Sequence, residues 1–259
     1  MGFESRLVLA IAAIGLMPAT QAMSADYDPP IYADQAPDYQ PVEVGSGWYL
    51  RGDVSYLANK SFENGDFTFP ATINDESFSE SEDAYFASIG FGYHFNDYLR
   101  ADVNFGYLPG NKASFSYDDS AVAPAGTAII GSGNVQNYAF SGILNGYVDL
   151  GTYVGVTPYV GAGIGLVRST SKLSATYTDT ANSANDFALS SNKTQYSLAY
   201  TLNAGLAYQV SKNVQVDLGY QYFSAPNAEY VTAESLTSYP TKKGISNHQV
   251  KLGLRYDLW

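Results

Sequence analysis

FGYHFNDYLRADVNFGY, residues 91–107, reads as two strands and the turn that joins them. Every second side chain is aromatic at Phe91, Tyr93 and Phe95; Asn96-Asp97 then supplies turn chemistry, and alternation resumes through Leu99, Val103, Phe105 and Tyr107. The interleaved positions Arg100, Asp102, Asn104 and Gly106 are charged, polar or small. A strand sends successive side chains to opposite faces, so this stretch has one apolar and one polar side. In a soluble barrel the apolar side would fill the interior. Here the polar side carries glycine and paired charges suited to a crowded interior, which leaves the aromatic side facing lipid.

The same alternation predicts eight strands, at 47–57, 84–95, 98–107, 135–150, 157–168, 194–210, 214–223 and 245–258. Their connections alternate in length. Asn96-Asp97, Gly151 to Val156 and Ser211 to Asn213 are short, whereas 58–83, 108–134, 169–193 and 224–244 each exceed 20 residues. Ordinary hairpin loops have ~2 to 5 residues, and short turns alternating with long loops mark the two sides of an outer-membrane barrel. The expected fold is therefore an all-β, eight-stranded, antiparallel up-and-down transmembrane β-barrel with short periplasmic turns and four long extracellular loops. Gly161, Gly163 and Gly165, alternating on the fifth strand, suit an interior too narrow for bulk on every wall.

Upstream, Arg6, the apolar run Leu7 to Leu16, Pro18 and the small residues Ala22 and Ala25 have the layout of a secretory signal peptide over 1–25. Cleavage is expected after Ala22 or Ala25, because the apolar run is about half the ~20 residues a spanning helix needs. Asp26 to Ser46 holds four prolines and five acidic residues with no basic one, and reads as a periplasmic linker at 26–46. The barrel then occupies 47–259. With no cysteine, neither disulfides nor thiolate metal sites contribute. Abundant Tyr, Phe and Gly with 15% charged residues suit sheet rather than helix. A net charge of −12 without a Lys/Arg cluster in sequence argues against nucleic acid, or an anionic lipid surface met through a basic patch, as a partner.

GWYLRGDVSYL from 47, the stretch from 91 quoted above, and VDLGTYVGVTPYVGAGIGLVR from 148 resemble the small outer-membrane β-barrels of alphaproteobacteria, akin to opacity-type adhesins and the OmpA transmembrane domain. The likeness covers about 47 to 259. It implies an outer-membrane location, lipid and lipopolysaccharide around the barrel, and a surface role with no catalytic residues to carry over. It also implies delivery by the barrel-assembly machinery, whose C-terminal signal fits Lys251, Gly253, Tyr256 and Leu258, with Trp259 one residue late.

Candidate chemistry is sparse. His94 falls at the periplasmic end of the second strand and His248 at the loop end of the eighth, so they cannot share a site. Ser246, Asn247 and His248 are consecutive and alternate faces, which prevents convergence. The glycines at 161–165 lack dinucleotide-binding spacing. Asp75, Glu76, Glu80, Glu82 and Asp83 could hold a divalent ion through carboxylate oxygens, or form a solvated, self-repelling loop; the second reading is adopted. No catalytic residue, cofactor or metal is expected.

One set of residues stands out. Arg51, Arg100, Lys251 and Arg255 face the predicted lumen together with Asp53, Asp102, Asp149, Asp217 and Asp257, most of them near a periplasmic strand end. Closure sets the first strand beside the eighth, so Arg51 and Asp53 are expected to meet Arg255 and Asp257. Buried charges are costly unless paired, and these nine are expected to form a network that plugs the periplasmic half. The function this implies is a non-enzymatic surface protein contributing to envelope integrity and to contact with a host or surface ligand through its loops. The alternative is a small, low-conductance pore.

Overall fold

The computed structural model describes residues 47–59, 61–62, 76–82, 84–234 and 238–258. The predicted leader at 1–25, the linker at 26–46, and Asp75, Asp83 and Trp259 lie outside them. Ten strands follow in chain order: β1 Gly47–Leu57, β2 Glu76–Glu82, β3 Tyr85–His94, β4 Leu99–Leu108, β5 Asn111–Asp118, β6 Ile129–Asp149, β7 Val156–Asp179, β8 Phe187–Gln209, β9 Val214–Val231 and β10 Thr241–Asp257.

Eight of them close a ring. The antiparallel order β1-β3-β4-β6-β7-β8-β9-β10 returns to β1, with Arg51 opposite Arg255 and Val54 opposite Leu252 at the seam. Closure leaves no free edge within the ring and gives each backbone group a partner, which lipid demands because it supplies no hydrogen bonds. Burial alternates from residue to residue along β1 and along β10 from Ile245 to Asp257. Tyr49, Arg51, Asp53 and Ser55 are buried in the interior; Leu50, Val54 and Tyr56 are exposed on the outside, and Ile89 of β3 is 69% exposed. Such exposed apolar surface is sustainable only against an apolar solvent.

The short turns have local causes. Asn96 Oδ1 accepts from the backbone N–H groups of Tyr98 (2.9 Å) and Leu99 (2.8 Å), closing β3 onto β4. The β8–β9 turn is tied to the chain end, where Asn213 Nδ2 donates to the Asp257 carbonyl at 3.0 Å.

At the other end several strands run on past their expected bounds. The stretches 108–134, 169–193 and 224–244 are largely strand, and β2 and β5 add to the sheet alongside β6, in the order β2-β5-β6. β7 alone runs 24 residues, about 80 Å, although ~9 to 11 residues cross a bilayer. The physical reason is composition. These segments are rich in Ser and Thr, which pair well in ladders; their outward face is polar, so the alternation at Ala113, Phe115, Tyr117 and at Leu173, Ala175, Tyr177 lacks the lipid-facing signature of the membrane strands.

Candidate functional site

The ring register brings the nine predicted lumen charges inside, and each is no more than 6% exposed. Asp53 of β1 lies at the centre. It accepts from Arg51 Nη2 at 2.7 Å, Arg51 Nε at 3.0 Å and Ser88 Oγ at 3.2 Å, and faces Lys251 Nζ at 3.5 Å. Arg51 spans to Asp102 of β4 at 3.0 Å, and Asp102 also accepts from Tyr49 Oη, Asn104 Nδ2 and Asn145 Nδ2. Two further pairs flank this hub: Arg255 with Asp217 at 2.7 Å and Arg100 with Asp149 at 3.0 Å.

One expected pairing is corrected. Arg51 and Arg255 sit directly opposite across the seam, like charge to like, so each turns away from the other. Arg255 takes Asp217 on β9, Asp257 approaches His94 at 3.5 Å and accepts from Gln215 at 3.2 Å, and the β10 partner of Asp53 is Lys251.

Three tyrosines complete the layer. Arg100 lies over the rings of Tyr147 (4.1 Å) and Tyr159 (4.8 Å), which meet edge to face at 5.8 Å. Its Nη groups make no hydrogen bond among the described residues, so the ring faces supply the contact the guanidinium otherwise lacks. Gly161 and Gly205 make room for the bulk, since a Cβ at either would collide with Tyr147 or Tyr159. A fourth aromatic contact places His94 against Tyr49 at 4.8 Å.

Above the ionic layer the lumen turns apolar. Leu57, Phe86, Leu108, Ile143, Val167, Phe223 and Ile245 are buried together, and Phe62 meets Tyr230 edge to face at 5.2 Å. At this height β9 departs from β8: their ladder ends at Tyr200 opposite Ser224. Ser169 Oγ donates to the Glu229 carbonyl at 3.1 Å and the Val231 N–H donates to Ser171 Oγ at 3.2 Å, so β9 contacts β7 beneath the mouth. Among the described residues, voids of about 10 Å³ beside Ser88 and Lys251 and about 20 Å³ beside His94 and Asp149 each have room for about one water.

Residues 9–257 match the family described as "Outer membrane protein beta-barrel domain". The chain belongs to that family. A protein of Brucella abortus is 28% identical, spanning 96% of this chain and 97% of its own. A Rickettsia bellii protein titled "Putative adhesin" is 29% identical over 81% of this chain and 82% of its own. Among solved structures, Neisserial surface protein A aligns with 83% of this chain and 99% of its own at 19% identity, with a TM-score of 0.44.

In this outer-membrane barrel the remaining predicted residues stay apart. His94 is buried in the lumen, whereas His248 faces outward among Tyr220 and Tyr222. Ser246 and His248 are exposed and Asn247 is buried, on opposite faces of β10. Glu76, Glu80 and Glu82 lie along β2; Glu76 and Glu80 are exposed and stand opposite Tyr117 and Ala113, on the face away from lipid. Lys251 and Gly253 point inward, and Tyr256 and Leu258 outward.

Sequence reading sets Tyr49 on the face of Arg51, Asp53 and Ser55, but misses Tyr147 and Tyr159, the apolar layer and the platform above it. That platform packs Phe115 of β5, Val135 of β6 and Leu173 of β7 on its inner face, with Tyr239 stacked near Phe115 at 6.4 Å. Asn137 clamps it, donating to Asn111 Oδ1 and the Val231 carbonyl at 2.8 Å each and accepting from Ser171 Oγ at 2.6 Å. One signal was available for the tyrosines: Tyr147 has the parity of Asp149, and Tyr159 that of Gly161 and Gly163.

Proposed function

We propose that the chain is a non-enzymatic surface protein whose plugged barrel anchors a rigid extracellular platform, contributing to envelope integrity and to attachment. The observation that carries this reading is the filled lumen. An ionic layer lies beneath an apolar one, and the voids beside them hold about 10 and 20 Å³. A water-filled pore needs a wider ring of ~16 to 18 strands. The hairpins are then the part available for contact, and the Rickettsia relative titled "Putative adhesin" supports attachment as their use.

The test is to shorten the β7–β8 hairpin by deleting the paired segment 172–192 and rejoining it with a tight turn. Heat-dependent gel mobility reports folding. Cells displaying the folded, shortened barrel should adhere less to host-cell monolayers than cells displaying the full chain. Unchanged adherence for this and the equivalent β5–β6 deletion would remove the attachment role.

A further inference from the structure

The outward face of β5, β6 and β7, immediately extracellular to the apolar band, carries a basic patch. On β7 the outward residues Pro158, Val160, Ala162, Ile164 and Leu166 are uncharged, and Arg168 follows. Arg168 stands in register between Phe140 of β6 and Tyr196 of β8, both exposed to the outside. Four residues on, Lys172 lies over the ring of Tyr138 at 5.6 Å and opposite Gln136. Gln136 pairs on its other side with Lys112 of β5, so Lys112, Gln136 and Lys172 form one row across three strands. The two lysines are two strand spacings apart, ~10 Å, and Arg168 is ~13 Å below Lys172 along β7.

All three cations are exposed, and among the described residues none has a carboxylate within ion-pair distance. The first outward acid along these strands is Asp118, six residues beyond Lys112. In a chain of net charge −12 with only 13 basic residues, four of them buried in the lumen, three unopposed cations on one face are a concentration of scarce charge. Their height is that of lipid headgroups: an aromatic belt of Tyr138, Phe140 and Tyr196 marks the interface, and long basic side chains there extend along apolar surface toward anions.

We propose that Lys112, Arg168 and Lys172 bind the phosphate groups of an anionic glycolipid of the outer leaflet, with Gln136 and Tyr138 completing the site. The occupant is a lipid rather than a soluble anion because the patch is continuous with the lipid-facing band: Arg168 follows Ile164 and Leu166 on the outward side of β7. Arg168 supplies a fork for phosphate oxygens, and the lysines supply mobile point charges. The ligand therefore reaches the barrel wall itself, on the face of the sheet opposite to Glu76 and Glu80.

The test places the full folded chain in phosphatidylcholine nanodiscs doped with diphosphorylated lipid A, or with the same lipid after enzymatic removal of its phosphates, and measures retained lipid by native mass spectrometry. The phosphorylated form should be retained at least about tenfold better. K112Q, R168Q and K172Q should each cost about fivefold, the contribution of one basic group at an anionic surface, and the triple variant should lose the preference. Lys193→Gln, elsewhere on the surface, should leave it intact. Millimolar inorganic phosphate should not displace the lipid. Equal retention of the two lipids by the native chain would overturn the proposal without any variant having to fold. So would a triple variant that folds by heat-dependent mobility and keeps the preference, and displacement by inorganic phosphate would overturn the lipid as occupant.

Discussion

Asp53 shows how much one carboxylate holds in place. Its two oxygens serve Arg51, Lys251 and Ser88, all buried, so replacing it by alanine strands Lys251 and leaves Arg51 to the carboxylate of Asp102 alone, in a space with room for about one water. Breaking a buried pair from one side costs about 3 to 5 kcal/mol, and Asp53→Ala should lower the unfolding free energy by about that much in urea titrations in lipid. A loss under about 1 kcal/mol would mean that water reaches the site and that the layer is no plug. The nine charges were legible from alternation alone, because an ion on the inward side of a strand has nowhere else to go. Their partners were not legible. Which acid meets which base depends on cross-strand register and on the like-charge opposition of Arg51 and Arg255, neither of which a single strand encodes. Tyr147 and Tyr159 were hidden for another reason: an aromatic residue fits the lipid face by type, and only its parity places it inside.

At the scale of elements, β6, β7 and β8 continue past the bilayer as one paired sheet where the sequence suggests loops. Period-two reading stands out where the outward face is apolar, and is easily missed where Ser, Thr and Asn take that face and only Ala113, Phe115 and Tyr117 on β5 or Leu173 and Ala175 on β7 mark the other. Limited proteolysis of the folded protein should therefore cut near 119–128 and 180–186, where the ladders turn, and spare 130–136 and 169–178, which are paired on both flanks. Cuts spread evenly over 108–134 and 169–193 would restore the loop picture. The inward bend of β9 is fastened outside the membrane by Glu229, which faces Lys193 at 3.0 Å and Lys243 at 3.1 Å. Hydrogen bonds from those two lysines hold its carboxyl below the usual glutamate range. A depressed carboxylate stabilises the fold above its unfolded pKa, about 4.3, and the contribution fades as pH falls through the lower folded value. Protection factors at 225–231, taken against the intrinsic exchange rate at each pH, should thus fall below about pH 4 in native protein and stay level over that range in Glu229→Gln.

For the whole molecule, membership of the outer-membrane barrel family and the ring of eight strands were both readable, since closure, strand count and turn alternation are global patterns that survive local errors. The apolar layer was not, because it brings Phe62, which follows β1, to Tyr230 near the end of β9, and residues distant in sequence announce no shared core. Two stacked layers of different chemistry are the basis for assigning anchorage rather than transport. Planar-bilayer recording of the purified, folded chain tests that assignment most directly. The native barrel should show no sustained unitary conductance at ±100 mV in 1 M KCl, a condition chosen to favour ion flow. A steady, reproducible conductance from protein of folded gel mobility, unchanged by Phe62→Ala or Asp53→Ala, would show an open path through both layers and contradict the plugged anchor.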